Sequence, residues 1–229
     1  MAAAGRTGPP LGGRCSGVRP TQAARASVGA AGASSAGRGE ASVNLTFRHY
    51  DHETAPATVD DVIVPLYLAT HPQAATDPFY SVERFTERVE GYMRSPGFGM
   101  CAAFDEDKPV GLAFGYALPE NARWWRSLQP HDPELTIETG TRTFAINEIM
   151  THPDHQRRHV ARDTHRELLA TRREERATLL VDEANTPAVT AYRRWGYRKV
   201  GTIKPFPDSP TFAAMILPLP PGGHESFDG

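Results

Sequence analysis

The feature that most constrains the fold is a strand–helix–strand run in residues 143–181. Residues 143–150 read as a strand, and residues 157–173 repeat apolar side chains at helical spacing through Val160, Leu168 and Leu169. Residues 177–181 form a second short run of strand type. A strand, a crossover helix and a strand make a parallel pair within one sheet, so the chain is predicted to have an α/β fold.

The remaining segments extend this unit on both sides. Alternation of Val43, Leu45 and Phe47 with polar residues predicts a first strand from about Ser42, and Ser81 is a predicted helix N-cap. Two helices (58–70, 81–94), a hairpin (98–104, 110–118), a third helix (187–195) and two strands (199–203, 212–217) are expected. Residues 119–142 have no sustained period and are expected to form a long loop with one short helix. Together these elements predict a mixed central sheet flanked by helices, in a single domain.

Composition divides the chain near residue 40. Residues 1–40 contain five Arg, one acidic residue and 19 Gly or Ala, and no aromatic residue. Such a segment buries too little apolar surface to offset its chain entropy, so 1–40 are predicted to be a disordered Ala/Gly/Arg-rich tail and 41–229 the folded domain. Two alternatives have the same composition: a transit peptide, and a coding sequence whose start was assigned too far upstream. A basic arm for nucleic acid is disfavoured, because no aromatic residues accompany the scattered arginines.

Several functional classes are disfavoured by the sequence. No stretch approaches the roughly 20 apolar residues of a membrane span, and the first thirty residues lack the apolar core of a secretory signal. Cys15 and Cys101 are isolated, so neither a disulfide framework nor a zinc ribbon is expected. The protein is therefore expected to be cytoplasmic, with no membrane, metal or nucleic-acid partner. Its oligomeric state has no sequence signal.

The segment with the clearest chemistry is 147–161, where a strand leads through a short loop into a helix N-terminus. Free backbone N–H groups and the positive end of the helix dipole favour an anion there, and Arg157 and Arg158 add formal charge suited to phosphate oxygens. A pyrophosphate would fit this arrangement. The alternative is that the two arginines only solvate the start of the helix.

Two motifs in this region resemble those of the GNAT N-acetyltransferase superfamily. Residues 156–161, Gln-Arg-Arg-His-Val-Ala, resemble the family's pyrophosphate loop, Gln/Arg-x-x-Gly-x-Gly/Ala, with His159 at the position of the first glycine. Residues 185–197 resemble its Asn-x-x-Ala-x-x-x-Tyr-x-x-x-Gly-Phe/Tyr signature, with Asn185, Tyr192 and Gly196 in place. The two motifs occur in the family's order, and the predicted elements agree with its single α/β domain.

The resemblance implies direct acetyl transfer from acetyl-CoA, as cosubstrate, to a primary amine in a ternary complex, without a metal. Tyr192 corresponds to the tyrosine that protonates the departing thiolate, although it also reads as a core aromatic residue. Glu148 is the expected base, where an acidic residue occurs in aminoglycoside-acetylating relatives. Strict alternation of side chains along the strand places Glu148 on the same face as Phe144 and Ile146. The role as a base therefore requires either that this face line the acceptor cleft or that a β-bulge turn Glu148 to the other face. The substitutes are Glu138, Asp182 and Glu183.

The resemblance also implies the cofactor contacts. They are the backbone of Ile149, Met150 and Thr151, the loop residues Gln156, Arg157, Arg158, His159, Val160 and Ala161, and Asn185. Asn185 fits equally well as a helix N-cap. The acceptor is a small-molecule or protein amine, and the net charge of −6 outside the tail favours a cationic one. A non-catalytic acyl-CoA-binding module is the alternative function, because His159 replaces a glycine.

Overall fold

The computed structural model of the chain describes residues 44–204 and 210–220; the predicted tail, Ser42 and Val43 lie outside this part. Within it, seven strands form one sheet in the order β1-β2-β3-β4-β5-β7-β6. They are β1 (Leu45–Tyr50), β2 (Gly99–Asp105), β3 (Lys108–Ala117), β4 (Thr143–Thr151), β5 (Arg176–Asp182), β6 (Arg198–Ile203) and β7 (Phe212–Pro218). Strands β4 and β5 run parallel, and the other neighbours are antiparallel. The predicted mixed sheet is confirmed.

The helices lie where the periodicity predicts them, with changed boundaries. They are α1 (Val64–Thr70), α2 (Val82–Met93), α3 (Pro133–Thr136), α4 (Val160–Ala170) and α5 (Thr186–Arg194). Residues 58–70 are helical but irregular, since a 3₁₀ turn (Ala55–Thr58) and a π turn (Val59–Ile63) precede α1. Ser81 caps α2 by accepting the backbone N–H of Arg84. Among the described residues, no helix is long and apolar enough to cross a membrane.

The two faces of the sheet are covered by different elements. Helices α4 and α5 pack on one face through Leu168, Leu169 and Ala188, against β4, β5 and β7. Helices α1 and α2 cover the opposite face over β2 and β3, where Phe114 is buried. Side chains of a strand alternate between faces, so these two helix layers sandwich the sheet.

Residues 118–142 cover the rest of the face that carries α1 and α2. Leu118, Trp124, Trp125 and Leu128 pack against the C-terminal strands, and Tyr116 bridges this cluster and the one under α2. The Nε1 of Trp125 donates a 2.7 Å hydrogen bond to Glu138. The tryptophans therefore anchor the long segment, which covers this face of the sheet together with α1 and α2.

Candidate active site

Strands β4 and β5 are paired only where they begin. Their parallel register covers Thr143–Arg176, Phe144–Ala177 and Ala145–Thr178, although both strands continue further. Strand β4 stays paired with β3 on its other side through Thr151. Among the described residues, the β5-facing backbone of residues 146–151 therefore has no strand partner, which leaves a wedge-shaped opening in the sheet. Ile149, Met150 and Thr151, the predicted backbone contacts, all lie on this open edge.

A β-bulge in β4 brings Glu148 to the face that α1 and α2 cover. Glu148 is opposite Phe114, whereas Ile146 is opposite Gly115, so β4 has one extra residue, Asn147, at this point. Phe144 and Ile146 pack into the core under α4 and α5, while Phe114 packs under α1 and α2. Glu148 therefore lies on the face opposite Ile146, as its predicted role as a base requires.

The carboxyl group of Glu148 is held in a poorly solvated position. Its Oε1 is buried without a hydrogen-bond partner among the described residues, although the residue as a whole is partly exposed. Burial raises the pKa of Glu148 to about 8, and the positive charge of Arg88 opposes part of this rise. A carboxyl group in this range exchanges protons near neutral pH, as a general base must.

Tyr192 lies on α5, across the sheet from Glu148. It is fully buried, and its ring makes edge contacts with Trp195 and Tyr197 at centroid distances of 5.3 and 5.8 Å. Its hydroxyl is buried without a hydrogen-bond partner in the described chain. Burial, and then the charge of Glu148, raise the pKa of Tyr192, so the phenol stays protonated and can donate its proton. The predicted acid and the predicted base therefore interact electrostatically.

The predicted phosphate loop has an unusual backbone. Arg157 and His159 adopt φ values of 63° and 62°, in the left-handed region that favours glycine. His159 is the N-cap of α4 and makes no side-chain capping bond, so the helix begins at Val160 rather than at Arg157. The predicted start of the helix is therefore wrong, because a left-handed residue cannot continue a right-handed helix.

The loop side chains fall into two groups. Arg157, Arg158 and His159 are exposed and Gln156 is half-buried. The side chain of Val160 is buried and that of Ala161 packs on the core, so these two residues offer an anion their backbone N–H groups only. The loop is preceded by a 3₁₀ turn (Pro153–His155) whose His155 bonds Asp105 of β2 at 3.1 Å.

The structure gives local partners to Asn185 and to the substitute bases. Asn185 caps α5 by accepting the N–H of Ala188 at 3.2 Å, as its structural interpretation predicts; its contact with the cofactor stays a prediction. Glu138 is buried against Arg176, with a 3.0 Å ion pair. Asp182 accepts the N–H of Ala184, and Glu183 forms a 2.6 Å ion pair with Lys199. Glu148 Oε1, in contrast, is buried without such a partner among the described residues.

The histidines near the loop do not share one helix face. His155 is in the 3₁₀ turn and His159 caps α4, so their i, i+4 spacing does not align them. No group of three or more His, Cys, Asp or Glu side chains suited to a metal occurs among residues 44–204 and 210–220.

Asn147 and Arg88 carry no motif and were not predicted, and Thr151 was predicted only for its backbone. Asn147 and Thr151 flank the opening with buried side-chain oxygens that lack partners in the described chain. Arg88 belongs to α2 and influences Glu148. A signal for Arg88 existed, because it is three residues after Phe85 and four before Tyr92, on the apolar side of its helix.

A sequence model of the acetyltransferase (GNAT) family matches residues 62–197, which is more than half of the chain and includes Glu148 and Tyr192. No curated protein sequence matches the chain at a significant level.

Solved structures share the fold at low sequence identity. PH1933 from Pyrococcus horikoshii OT3 is 16% identical, with a TM-score of 0.55 over 77% of this chain and 99% of its own. The ribosomal-protein-S18-alanine N-acetyltransferase from Escherichia coli is 15% identical, with a TM-score of 0.50 over 80% and 99%. Aminoglycoside 6'-acetyltransferase type Ii is 16% identical, with a TM-score of 0.51 over 77% and 98%. At these identities the likeness establishes the fold.

Proposed function

Because this chain belongs to the acetyltransferase (GNAT) family, we propose that it transfers the acetyl group of acetyl-CoA directly to a primary amine in a ternary complex. The observation that carries this proposal is the opening between β4 and β5, with Glu148 on one face and Tyr192 on the other. Glu148 Oε1 and the Tyr192 hydroxyl are both buried without a hydrogen-bond partner among the described residues. Buried polar atoms of native proteins normally have partners, so orphans at one opening favour a ligand there.

The same opening suits the cosubstrate. The unpaired backbone edge at Ile149, Met150 and Thr151 offers N–H and C=O groups to the amide groups of a pantetheine arm, much as an added strand would. Residues 156–161 lie at the N-terminus of α4, where backbone N–H groups and Arg157 and Arg158 favour a pyrophosphate. Acetyl-CoA supplies the activated acyl group and a thiol leaving group.

In the proposed mechanism, Glu148 and Tyr192 exchange protons with the two reactants. Glu148, in its ionised form, accepts a proton from the amine nitrogen as the C–N bond forms. Tyr192 donates its hydroxyl proton to the sulfur as the C–S bond breaks, so no thiolate is released into a buried site. Proton exchange with solvent then restores both side chains. Because the pKa of Glu148 is about 8, about a tenth of the molecules carry the ionised base at pH 7.

The acceptor class is a primary amine, on a small molecule or a protein. Two of the solved neighbours are named for acceptors of these kinds, an alanine of ribosomal protein S18 and an aminoglycoside. The negative charge of the chain outside residues 1–40 favours cationic acceptors, since it attracts them to the surface.

The test is thiol release from acetyl-CoA with a panel of primary amines, followed by mass spectrometry of the acetylated product. We expect acceptor-dependent release by the full chain and its near loss in Glu148→Gln. A matched control is Glu183→Gln, which removes a surface carboxylate that pairs with Lys199. Binding of acetyl-CoA without release for any amine would contradict the proposal and favour a non-catalytic acyl-CoA-binding module.

A further inference from the structure

A buried hydrogen bond between His165 and Tyr197 lies in the apolar core next to Tyr192. Nε2 of His165, on α4, and the hydroxyl of Tyr197, between α5 and β6, are 2.8 Å apart. The two residues are 4% and 2% exposed. Burial lowers the pKa of His165 to about 3, so its ring is neutral near neutral pH. Two apolar side chains would fill the same space without desolvating polar groups, so packing alone does not account for this pair.

The turn at the end of α5 brings Tyr197 against the ring of Tyr192. Gly196 has a φ of 95°, and beyond it the N–H of Tyr197 donates to the carbonyl of Tyr192 at 3.0 Å. The N–H of Gly196 donates to the carbonyl of Arg193 at 3.1 Å. These two bonds form a Schellman ending, in which the side chains joined by the longer loop often also make contact. The rings of Tyr192 and Tyr197 do so, with centroids 5.8 Å apart.

His165 completes a cycle of contacts among four rings, which we call the aromatic box: His165, Tyr192, Trp195 and Tyr197. Tyr192 contacts Trp195 and Tyr197, and both of these contact His165, at centroid distances of 4.9 and 5.6 Å. Both neighbours of the Tyr192 ring are therefore in contact with one residue of α4. That residue also fixes Tyr197 through a hydrogen bond, which is directional in a way that apolar contact is not.

The Tyr192 hydroxyl has no hydrogen-bond partner among residues 44–204 and 210–220. Its position is therefore set by the packing around the ring and not by a bond at the oxygen. We propose that Tyr197 and His165 are positioning residues, which hold the Tyr192 ring, and with it the hydroxyl, in the orientation that proton transfer to the leaving sulfur requires. This inference rests on the proposed function. Proton transfer needs donor and acceptor within hydrogen-bond reach, so a small displacement of the phenol lowers kcat.

The test is a double-mutant cycle on kcat, with acetyl-CoA and an amine that the protein acetylates. Tyr197→Phe removes the hydrogen bond and keeps the ring. We expect it to lower kcat about 5- to 20-fold, while the KM values of both substrates change less than about twofold. In a Tyr192→Phe background, Tyr197→Phe should change kcat less than about twofold, because the residue that it positions has lost its hydroxyl. Thr58→Val is the matched control, because it removes another buried hydroxyl bond, to the carbonyl of Ala55 at 2.7 Å, on the other face of the sheet.

Rescue separates positioning from a role in stability alone. His165→Gln keeps an amide nitrogen near the place of Nε2, so we expect kcat within about threefold of the wild type. The double variant His165→Leu/Tyr197→Phe removes both polar groups, so it should recover stability in urea unfolding but not kcat. Recovery of kcat with stability would overturn the inference, as would effects of Tyr192→Phe and Tyr197→Phe that multiply. Both results would leave amine acetylation intact. An unchanged kcat in Tyr192→Phe would also overturn it.

NMR of protein labelled with ¹³C at the tyrosine Cζ tests the inference separately if no amine is acetylated and the proposed function fails. The signal of Tyr192 is assigned by its loss in Tyr192→Phe. Because Tyr197→Phe keeps every ring of the aromatic box, a shift of this signal reports movement of the rings. We expect a shift in Tyr197→Phe and none in Thr58→Val. An unchanged signal in Tyr197→Phe would show that the hydrogen bond does not position Tyr192.

Discussion

Replacing Glu148 by Gln is expected to abolish transfer and to stabilise the protein at alkaline pH. Glutamine has the shape of a protonated glutamate and cannot ionise. In the native protein, burial raises the pKa of Glu148 from 4.5 to about 8. The unfolded chain therefore loses this proton at lower pH than the folded one, and ionisation of Glu148 opposes folding as the pH rises.

The size of the effect follows from the two pKa values. Below about pH 4.5 the carboxyl is protonated in both states, and Glu148 has no pH-dependent effect on stability. Between pH 4.5 and 8 the folded state binds more protons, so wild-type stability falls with rising pH, by about 1.4 kcal/mol per pH unit. The upper limit of this loss in the free energy of unfolding, relative to low pH, is about 3 kcal/mol at pH 7 and about 5 kcal/mol at pH 9. Because Glu148 is partly exposed, solvent reduces this destabilisation, and we expect the wild type to lose at least about 2 kcal/mol of stability at pH 9.

The assay is urea unfolding of the wild type and Glu148→Gln at pH 4.5 and pH 9. We expect the free energies of unfolding to be similar at pH 4.5 and the variant to be more stable at pH 9. Wild-type kcat/KM should rise as the pH increases through about 8, whereas kcat/KM of Glu148→Gln should not show this rise. A stability difference that is the same at both pH values would refute the reasoning, because Glu148 would then ionise as it does in the unfolded chain.

Three further substitutions test other parts of the site and fold. Tyr192→Phe should lower kcat about 100-fold without loss of stability, since it removes a buried hydroxyl with no partner in the described chain; an unchanged kcat would show that Tyr192 is not the acid. His159→Gly should raise stability by about 1 kcal/mol and tighten acetyl-CoA binding by calorimetry, whereas His159→Ala keeps the Cβ and should do neither. Glu138→Gln should cost about 3 kcal/mol in urea unfolding, because Arg176 would lose its buried counter-ion, and a cost below about 1 kcal/mol would contradict this role.

Much of the fold could be predicted because its signals are local. The run from residue 143 to residue 181 specifies a strand, a helix and a strand, and the structure pairs β4 and β5 in parallel as expected. Where prediction failed, the cause was backbone conformation that side-chain periodicity does not encode. The start of α4 was placed at Arg157, because nothing in the sequence shows that His159 adopts a left-handed conformation in this loop.

The site was less predictable, because tertiary contacts assemble it. Tyr192 is predicted from a motif and Glu148 from the place of an acidic residue in relatives, but the electrostatic interaction between them depends on how α5 packs on the sheet. Arg88 has no motif, and only its place between Phe85 and Tyr92 sets it apart from the exposed Arg84 of the same helix. Periodicity predicts that such a residue faces inward, whereas its electrostatic effect on Glu148 becomes known only from the folded structure.

The backbone irregularity at Asn147 explains how one strand serves two faces. Pairing of β4 with β5 ends at Ala145, and the extra residue, Asn147, follows two positions later. Strand β4 therefore separates from β5 at nearly the same point at which its side chains change faces relative to β3. On β3, a Cβ at Gly115 would collide with the carbonyl oxygen of Ala145, so the close approach of the two strands at the bulge requires a glycine. Without the bulge, the Glu148 side chain would point into the apolar core that contains Phe144 and Ile146. The position of Glu148 on the face that α1 and α2 cover is therefore a consequence of one local departure from regular pairing.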